Sequence, residues 1–392
     1  MLLPLHVTHL PLDSPRPKLV FIVAEDWFFA SHFLGFAGAA RAAGLEAVVV
    51  TRVDKHKSVL EAHGCRVVAV PIARRAFGPL AIVRALLQYR AILRDEGPEI
   101  VHCIALKSVV PGGFAARLAR VPALVLAPTG LGFLWTARGA KALVGRIGVR
   151  LAVSTLALGH GTRLLFENRD DPGELGLNVE DSKRVLLVGG AGVSRQAFPR
   201  QPTPPGDLVR VAVVSRMLRS KGIVESVEAV CLARAAGVKI VLDLWGEPDP
   251  SNLDSLTTQE LSALVNRPGI AWRGRSEDVA GVWRASHIAM LLSYREGLPR
   301  SLVEASASAR PIVTTDAPGC RAVVDDGEQG YLVPPRDAHA AAAALVKLAN
   351  DPVARQRMGE NARRRFKTEF TDEVINAKIE ALYRACLDHN VR

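Results

Sequence analysis

The chain has 392 residues, a length that predicts two compact domains with a cleft between them rather than one domain. Its composition, with 49% hydrophobic and 23% charged residues, is that of an ordinary α/β enzyme, and its net charge of +11 favours an anionic partner: nucleic acid, a phosphorylated substrate or an acidic membrane surface. The five scattered cysteines include no CxxC pair, so they suggest neither a zinc site nor a disulfide framework, and they are typical of free thiols in a reducing compartment.

Residues 1–17 are predicted to form an N-terminal extension, and they lack the basic start and apolar stretch of a signal peptide. From Lys18 onward, short β-rich runs alternate with helix-length amphipathic runs. This alternation predicts a parallel sheet covered by helices on both faces, in an N-terminal domain over residues 18–197. Its predicted strands are KLVFIVA, EAVVVT, RVVAV, EIVHC, ALVLAP and RLLFE.

Basic residues cluster in this first domain. Arg84 and Arg90 lie in the otherwise apolar run PLAIVRALLQYRAIL, and Arg146 and Arg150 interrupt ALVGRIGVRLAVSTLAL, the best candidate for a membrane span. We therefore expect a cytoplasmic protein. The arginines belong either to a solvated helix face or to a face that docks on anionic lipid at the inner side of the cell membrane. The other members of the cluster are Arg74, Arg75, Arg94 and Lys141.

A proline-rich break, FPRQPTPPGD at residues 198–207, predicts an interdomain linker. A second series of strands and helices follows and predicts a C-terminal domain over residues 208–370. Residues 371–392 have a helical pattern and are predicted to form a last helix that crosses back to the first domain. The fold class is therefore α/β, with two doubly wound domains. The predicted strands of the second domain are LVRVAVV, KIVLDLW, GIAW, HIAMLLS and RPIVTT.

The segment EGLPRSLVEA follows the predicted strand HIAMLLS and places the start of a buried helix at the carboxyl edge of a sheet. Gly297 permits a sharp turn, and Pro299 suits the first turn of a helix. Such an edge binds ligands in doubly wound sheets, because free backbone amides and the helix dipole attract negative charge. The free amides here are expected to be those of Leu298, Arg300 and Ser301.

Two acids and two cations complete this pattern. Glu296 precedes the helix start and Glu304 lies about one turn inside it, so one carboxylate could hold a ribose and the other a sugar ring. In SRMLRSKGI, the loop after the first strand of the second domain carries Arg216 and Lys221. Two cations above a helix N-terminus are suited to a diphosphate, since they neutralise its charge.

These segments resemble GT-B retaining glycosyltransferases of the family 4 type, from about Lys18 to the C-terminus. The spacing of Glu296 and Glu304 is similar to the E-x7-E motif of that family, and SRMLRSKGI resembles its phosphate-binding loop. The resemblance implies two Rossmann-like domains that face a central cleft, and transfer of a hexosyl group from a nucleotide sugar with retention of configuration. No metal or other cofactor is expected, because no DxD-like acidic pair follows a strand.

The resemblance also implies roles for residues on the donor side. Arg216 and Lys221 would contact the donor diphosphate, and Glu296 would contact the transferred sugar near its reacting face, so these three are the predicted catalytic residues. Glu304 would bind the donor ribose. The other predicted donor-binding residues are Gly297, Leu298, Pro299, Arg300 and Ser301, with Gly246 in LWGEPD and Arg275 in WRGRSEDV.

Within the family, LKSVVPGGFAARLARVP and TGLGF resemble bacterial enzymes that extend polyprenyl-diphosphate-linked oligosaccharides or build capsule and exopolysaccharide. This implies a lipid-linked or saccharide acceptor and a UDP-sugar donor, with GDP still open. The predicted acceptor-side residues are Lys107, Ser108, Gly130 and Gly132.

The end of the first predicted strand departs from the family pattern. Where the family usually has a Gly-rich turn, this chain has Glu25, Asp26 and Trp27, which puts direct phosphate contact by this loop in doubt. His32 is expected to open the helix that follows, and it belongs either to the acceptor side of the cleft or to the structure alone.

Two other functions remain open from the sequence: a GT-B-fold nucleotide-sugar epimerase, and a non-catalytic, membrane-associated scaffold of the same fold. A phosphorylase is not favoured, because no pyridoxal lysine motif or orthophosphate site is present. Nucleic-acid binding has only the positive charge in its favour, and no recognition motif accompanies it.

Overall fold

A computed structural model describes residues 16–71, 78–137, 139–181 and 183–388. It contains two parallel sheets, each covered by helices, which confirms the predicted α/β class with two Rossmann-like domains. Arg74 and Arg75 of the predicted basic cluster, and most of the predicted N-terminal extension, lie outside the described residues.

The first sheet has the strand order β3-β2-β1-β4-β5-β6-β7, and neighbouring strands are parallel. Side chains of β1 alternate between two apolar cores, with Leu19 and Phe21 in one and Val20 and Ile22 in the other. This period of two is what a sheet buried on both faces requires. The strands are β1 (Lys18–Glu25), β2 (Glu46–Arg52), β3 (Cys65–Ala69), β4 (Ile100–Ile104), β5 (Ala123–Ala127), β6 (Thr162–Phe166) and β7 (Val185–Leu187).

The helices of the first domain are α1 (Asp26–His32), α2 (Leu34–Ala42), α3 (Lys57–Ala62), α4 (Pro79–Glu96), α5 (Leu106–Leu118), α6 (Phe133–Thr136), α7 (Ala140–Ala157) and α8 (Asp170–Glu174). The expectation that His32 opens the helix after the first strand is wrong, because α1 begins directly at Asp26 and His32 ends it. The buried Asp26 carboxylate accepts the backbone amides of Asp54 and His56, at 2.7 and 2.9 Å. Asp26 therefore holds the loop after β2.

The second sheet has the order β10-β9-β8-β11-β12-β13 and is also parallel. Its strands are β8 (Val209–Val214), β9 (Ile240–Trp245), β10 (Ile270–Gly274), β11 (Ile288–Leu291), β12 (Ile312–Thr315) and β13 (Gly330–Val333). The helices of this half are α9 (Ile223–Ala235), α10 (Thr258–Val265), α11 (Val279–Ala285), α12 (Arg300–Ala307), α13 (Ala338–Asn350) and α14 (Pro352–Glu369), followed by α15 (Asp372–Asp388).

The last helix, α15, packs on the first domain. Its buried Ile375, Ile379 and Tyr383 belong to the same apolar core as Phe21 of β1. The Tyr383 hydroxyl lies 2.8 Å from Nδ1 of the buried His102 on β4. The chain therefore returns across the molecule after the second domain, and its end completes the core of the first.

Candidate active site

A cleft of about 710 Å³ lies between the two domains, at the carboxyl edges of both sheets. Its wall from the first domain comes from α1 and from the loops after β4, β5 and β6. Its wall from the second domain comes from the loops after β8 and β11 and from the start of α12. Ligands of doubly wound folds bind at such edges.

The turn before α12 lies at the centre of the cleft and touches the first domain. A Cβ on Gly297 would clash with the Glu167 carboxylate and would lie 2.7 Å from the Thr129 carbonyl oxygen. On the opposite side, a Cβ on Gly130 would lie 2.8 Å from the Gly297 nitrogen. Glycine is therefore favoured at both positions, because a side chain at either one would collide with the opposite domain.

Glu296 and Lys221 form an ion pair in this cleft. Lys221 donates to Oε1 of Glu296, and the Ser293 hydroxyl donates to the same oxygen at 2.5 Å. The two side chains are only 20% and 12% exposed, so the pair is shielded from bulk water. Lys221 ends the single 3₁₀ turn Arg219–Lys221, and the next residue, Gly222, packs directly on the Leu292 carbonyl at the end of β11. This packing brings the loop after β8 to the turn before α12.

Glu304 also has a cationic partner. Arg300, one helical turn earlier, contacts it at 2.9 Å, and Arg300 Nη1 donates to the Ser31 carbonyl of α1 at 3.1 Å. Burial raises the pKa of Glu304, although Arg300 acts in the opposite direction. The first turn of α12 is therefore tied across the cleft to α1.

Arg216 lies on the cleft wall beside these groups. Its Nη1 lies 2.9 Å from the Asp249 carboxylate, and half of its side chain is exposed. The predicted catalytic residues Glu296, Lys221 and Arg216 thus line one cleft, together with the predicted donor residues Glu304, Gly297, Leu298, Pro299, Arg300 and Ser301.

Two predicted donor residues lie outside the cleft lining in the part of the chain that the structure describes. Gly246 follows β9 and packs against the Ser215 carbonyl, with no room for a side chain, while its own carbonyl accepts the Trp272 indole at 2.7 Å. Arg275 follows β10 and is exposed. Gly246 therefore lies behind the loop that carries Arg216 rather than on the cleft wall.

The predicted acceptor residues are divided in the same way. His32, Gly130 and Gly132 line the cleft. Burial, with the nearby Arg300 charge as a second cause, lowers the pKa of His32 to about 4, so its ring is neutral at pH 7. Lys107 and Ser108 occupy the first turn of α5, after the cleft-lining Ala105 and Leu106, and Ser108 is buried.

Sequence reasoning missed a contact between the domains that supports the Gly297 turn. The Asn168 amide donates to the Gly297 carbonyl at 2.8 Å, and Asp171 forms a buried ion pair with Arg295. The signal was present as Asn168-x-x-Asp171 directly after a predicted strand, a spacing typical of a helix start. Nothing local indicated that its partners lie more than 120 positions further along the chain.

The described residues contain neither a candidate metal site nor a membrane-spanning helix. No three His, Cys, Asp or Glu side chains among them come together as metal ligands would. None of the helices in the described ranges combines the length and the apolar character needed to cross a bilayer.

Family models match both halves of the chain. Residues 18–154 match the model described as "Glycosyl transferase 4-like", and residues 194–365 match "Glycosyl transferases group 1". Together they cover most segments that line the cleft, while the loop after β6, with Glu167, lies between the two matches.

Individual proteins also match over most of the chain. A capsular polysaccharide biosynthesis glycosyltransferase, CapM, from Staphylococcus aureus is 24% identical over 78% of this chain and 81% of its own length. An N,N'-diacetylbacillosaminyl-diphospho-undecaprenol α-1,3-N-acetylgalactosaminyltransferase from Campylobacter jejuni is 21% identical, over 86% and 90%. The crystal structure of Anabaena HepE in complex with UDP and glucose superposes with a TM-score of 0.72 at 18% identity, over 94% of this chain and 99% of that one.

These matches confirm the resemblance predicted from the sequence. At 18% identity, the solved structure shows only that the fold is shared. The family models and the relatives show the activity class. The chain belongs to the GT-B glycosyltransferases, with a glycosyl transferase 4-like domain followed by a glycosyl transferases group 1 domain.

Proposed function

We propose that the protein is a retaining hexosyltransferase that takes its sugar from a nucleotide sugar, with UDP as the expected nucleotide. The acceptor is a polyprenyl-diphosphate-linked saccharide, and the reaction serves surface or exopolysaccharide synthesis at the inner face of the cell membrane. The observation that carries this proposal is the convergence of Lys221, Arg216, Glu296 and Glu304 on one cleft around the start of α12.

The arrangement suits a diphosphate leaving group. When the bond between the anomeric carbon and the phosphate oxygen breaks, the nucleoside diphosphate leaves with the electron pair. The anomeric carbon forms a new bond to the acceptor hydroxyl oxygen, and the hydroxyl proton is released. Lys221, Arg216 and the first amides of α12 stabilise the charge that develops on it. Glu304 holds the ribose hydroxyls, and Glu296 orients the transferred sugar. These residues act by position and charge, so no step is assigned to a metal.

Ion pairs in the cleft must exchange when the donor binds. Lys221 is paired with Glu296, and Arg300 with Glu304, so both acids already have partners. A diphosphate attracts Lys221, which frees Glu296 for a sugar hydroxyl. In the same way, ribose hydroxyls compete with Arg300 for Glu304. Donor binding therefore replaces internal ion pairs and leaves no buried charge without a partner.

Known proteins support the substrate classes. HepE was crystallised with UDP and glucose and with UDP-glucose, which fits a UDP-sugar in this cleft. The name of the Campylobacter enzyme gives a diphospho-undecaprenol sugar as its acceptor, and that of CapM gives capsular polysaccharide biosynthesis. A lipid-linked acceptor would bring the protein to a membrane surface.

The first domain has a face that fits such a surface. Helices α4 and α7 both pack on α5, and Leu80, Val144, Leu151 and Leu158, the residue that follows α7, are 65 to 80% exposed. Arg84, Arg94, Lys141 and Arg150 are exposed on the same helices. An apolar face rimmed by cations is suited to the headgroup region of an anionic bilayer.

Donor binding is tested by thermal shift with UDP-glucose, UDP-galactose, UDP-N-acetylglucosamine and GDP-mannose. A ligand at 100 times its Kd should stabilise the fold by about 2.7 kcal/mol. We expect at least one nucleotide sugar to stabilise the wild type. Lys221→Ala and Glu304→Gln should weaken its binding on the order of tenfold, because each removes a charged contact worth about 1.4 kcal/mol or more. Lys239 and Glu228 are exposed, so Lys239→Ala and Glu228→Gln are the matched controls and should bind the nucleotide sugar like the wild type.

A turnover assay distinguishes a transferase from an epimerase and from a non-catalytic scaffold. A transferase releases nucleoside diphosphate only when an acceptor is added, an epimerase converts the nucleotide sugar without one, and a scaffold does neither. The anomeric configuration of the product, read from its NMR coupling constant, tests retention. Wild-type binding by both Lys221→Ala and Glu304→Gln, or failure of every nucleotide sugar to stabilise the wild type, would remove the proposed site.

A further inference from the structure

Glu167 reaches the proposed donor site from the opposite domain. It follows β6 in the first domain, lines the cleft, and places its carboxyl group directly against Gly297. The backbone amide of Leu298 donates to this carboxyl group, so the expectation that this amide is free for a ligand is wrong. A side chain of the first domain thus contacts the Gly297–Leu298 turn of the second domain.

Neighbouring residues fix Glu167 in this place. Asn168 donates to the Gly297 carbonyl at 2.8 Å, and its own Oδ1 accepts the amides of Asp170 and Asp171 at 3.0 and 2.9 Å. Asp171 is 1% exposed and forms an ion pair with Arg295, which is 9% exposed. Glu167 therefore sits on a rigid segment that is hydrogen-bonded on both sides.

The charge around Glu167 favours its protonated form. Asp171 and Glu296 are the charged groups that act on Glu167, and their own partners are the cations Arg295 and Lys221. Arg295 also lies 3.7 Å from Glu174. Desolvation between the two domains, followed by the carboxylates of Asp171 and Glu296, raises the pKa of Glu167 to about 8, and the Leu298 amide acts in the opposite direction. At pH 7 the side chain is mostly the neutral acid.

We propose that Glu167 is a positioning residue of the donor site: it fixes the Gly297–Leu298 turn from the first domain, so that the turn takes its donor-binding shape only when the two domains are in contact. This inference rests on the proposed function. In its neutral form Glu167 supports the turn without adding charge. Once ionised, it places a further negative charge beside Glu296 and the donor diphosphate, and donor affinity falls.

The test measures the Kd of UDP-glucose by calorimetry from pH 6.5 to 9 for wild type, Glu167→Gln and Glu167→Ala. If only the neutral form binds well, the wild-type Kd rises by about tenfold at pH 9, because only about a tenth of the molecules are then competent. Glu167→Gln keeps an oxygen for the Leu298 amide and cannot ionise. We expect it to bind like the wild type at pH 7 and to lack the additional loss at pH 9.

At every pH, Glu167→Ala should bind UDP-glucose at least tenfold more weakly than the wild type binds it at pH 7. The melting temperature of this variant reports whether it still folds. Glu180→Gln, exposed in the same domain, is the matched control and should keep the wild-type pH profile. Titration of the uracil ring affects all four proteins equally and cancels. Burial raises the pKa of Cys320 to about 11 and lowers that of His32 to about 4, so neither titrates strongly in this range. Burial also raises the pKa of Asp171 and of Glu304, but both residues are present in all four proteins, so their titration cancels as well.

Two outcomes would overturn the inference while leaving the proposed function intact: the same pH profile for Glu167→Gln and wild type, or wild-type binding by a folded Glu167→Ala. Failure of the wild type to bind any nucleotide sugar at any pH is a different result. It would remove the proposed function and this inference together.

Discussion

Gly297 packs closely against the first domain in the cleft. Replacing it with alanine would push a methyl group into the Glu167 carboxyl and the Thr129 carbonyl, so the turn must move. A shift of about 1 Å in a reacting geometry lowers activity on the order of 10²-fold, and we expect that loss in kcat/KM for Gly297→Ala.

The matched control is Gly38→Ala in α2. A Cβ there meets nothing within 4 Å, and alanine favours a helix by about 0.5–1 kcal/mol. Gly38→Ala should therefore keep wild-type kcat/KM with an equal or higher melting temperature. Steady-state kinetics on both variants measure kcat/KM. A fully active Gly297→Ala would show that the close contact of Gly297 with the first domain is not required.

A site residue could be predicted from the sequence when the pattern that indicates it lies within one short segment. Glu296, Glu304 and the glycine turn share one segment of ten residues, and their spacing alone indicated a common site. Glu167, Asn168 and Asp171 act through partners in the other domain, and a single sequence does not show that pairing. Gly246 and Arg275 were placed by resemblance to strand ends, and both lie outside the described cleft lining.

At the scale of elements, all eleven strands predicted from apolar runs are present, because buried parallel strands have strong β-branched patterns. Two further strands, β7 and β13, were not predicted. They have three and four residues and pair at sheet edges, where burial is incomplete and the pattern is weak. The sequence predicted that the last helix crosses back to the first domain, but only the structure shows which residues α15 packs against.

The packing of α15 on β4 predicts acid sensitivity. Burial lowers the pKa of His102 to about 3, whereas an unfolded histidine takes up its proton near 6.5. The unfolded chain therefore binds the proton first, and stability falls as the pH drops below about 6.5. Between pH 6.5 and 5 this one group should lower the free energy of unfolding by about 2 kcal/mol.

Urea unfolding of wild type and His102→Gln at the two pH values tests this expectation. Glutamine keeps a partner for the Tyr383 hydroxyl and does not titrate, so its stability should fall by about 2 kcal/mol less than that of the wild type. His63→Gln, an exposed substitution in the same domain, is the control and should keep the wild-type slope. Equal slopes for all three proteins would show that His102 does not contribute.

At the scale of the whole molecule, the cleft and the exposed apolar face belong to different surfaces of the first domain. Helix α5 begins beside the cleft, where Ala105 and Leu106 line it, and runs between α4 and α7, whose outer sides carry the exposed leucines and valine. A protein docked through α4 and α7 would thus hold the first-domain wall of the cleft, the proposed acceptor side, next to the membrane. The net charge of +11 adds attraction to anionic lipid.

Sedimentation with phosphatidylcholine vesicles, with and without 30–50% phosphatidylglycerol, tests this orientation. We expect the wild type to bind the anionic vesicles and to be released by salt, because each cation near the surface contributes about 1 kcal/mol and is screened. Val144→Asp on α7 removes apolar contact and adds repulsion, so binding should fall roughly tenfold.

The control is Val353→Asp on α14, in the other domain. Val353 is 76% exposed and Val144 is 69% exposed, and Val353→Asp should bind the vesicles like the wild type. If both variants lose binding equally, or if the wild type binds neutral and anionic vesicles alike, α4 and α7 are not the docking face and the acceptor must reach the cleft by another route.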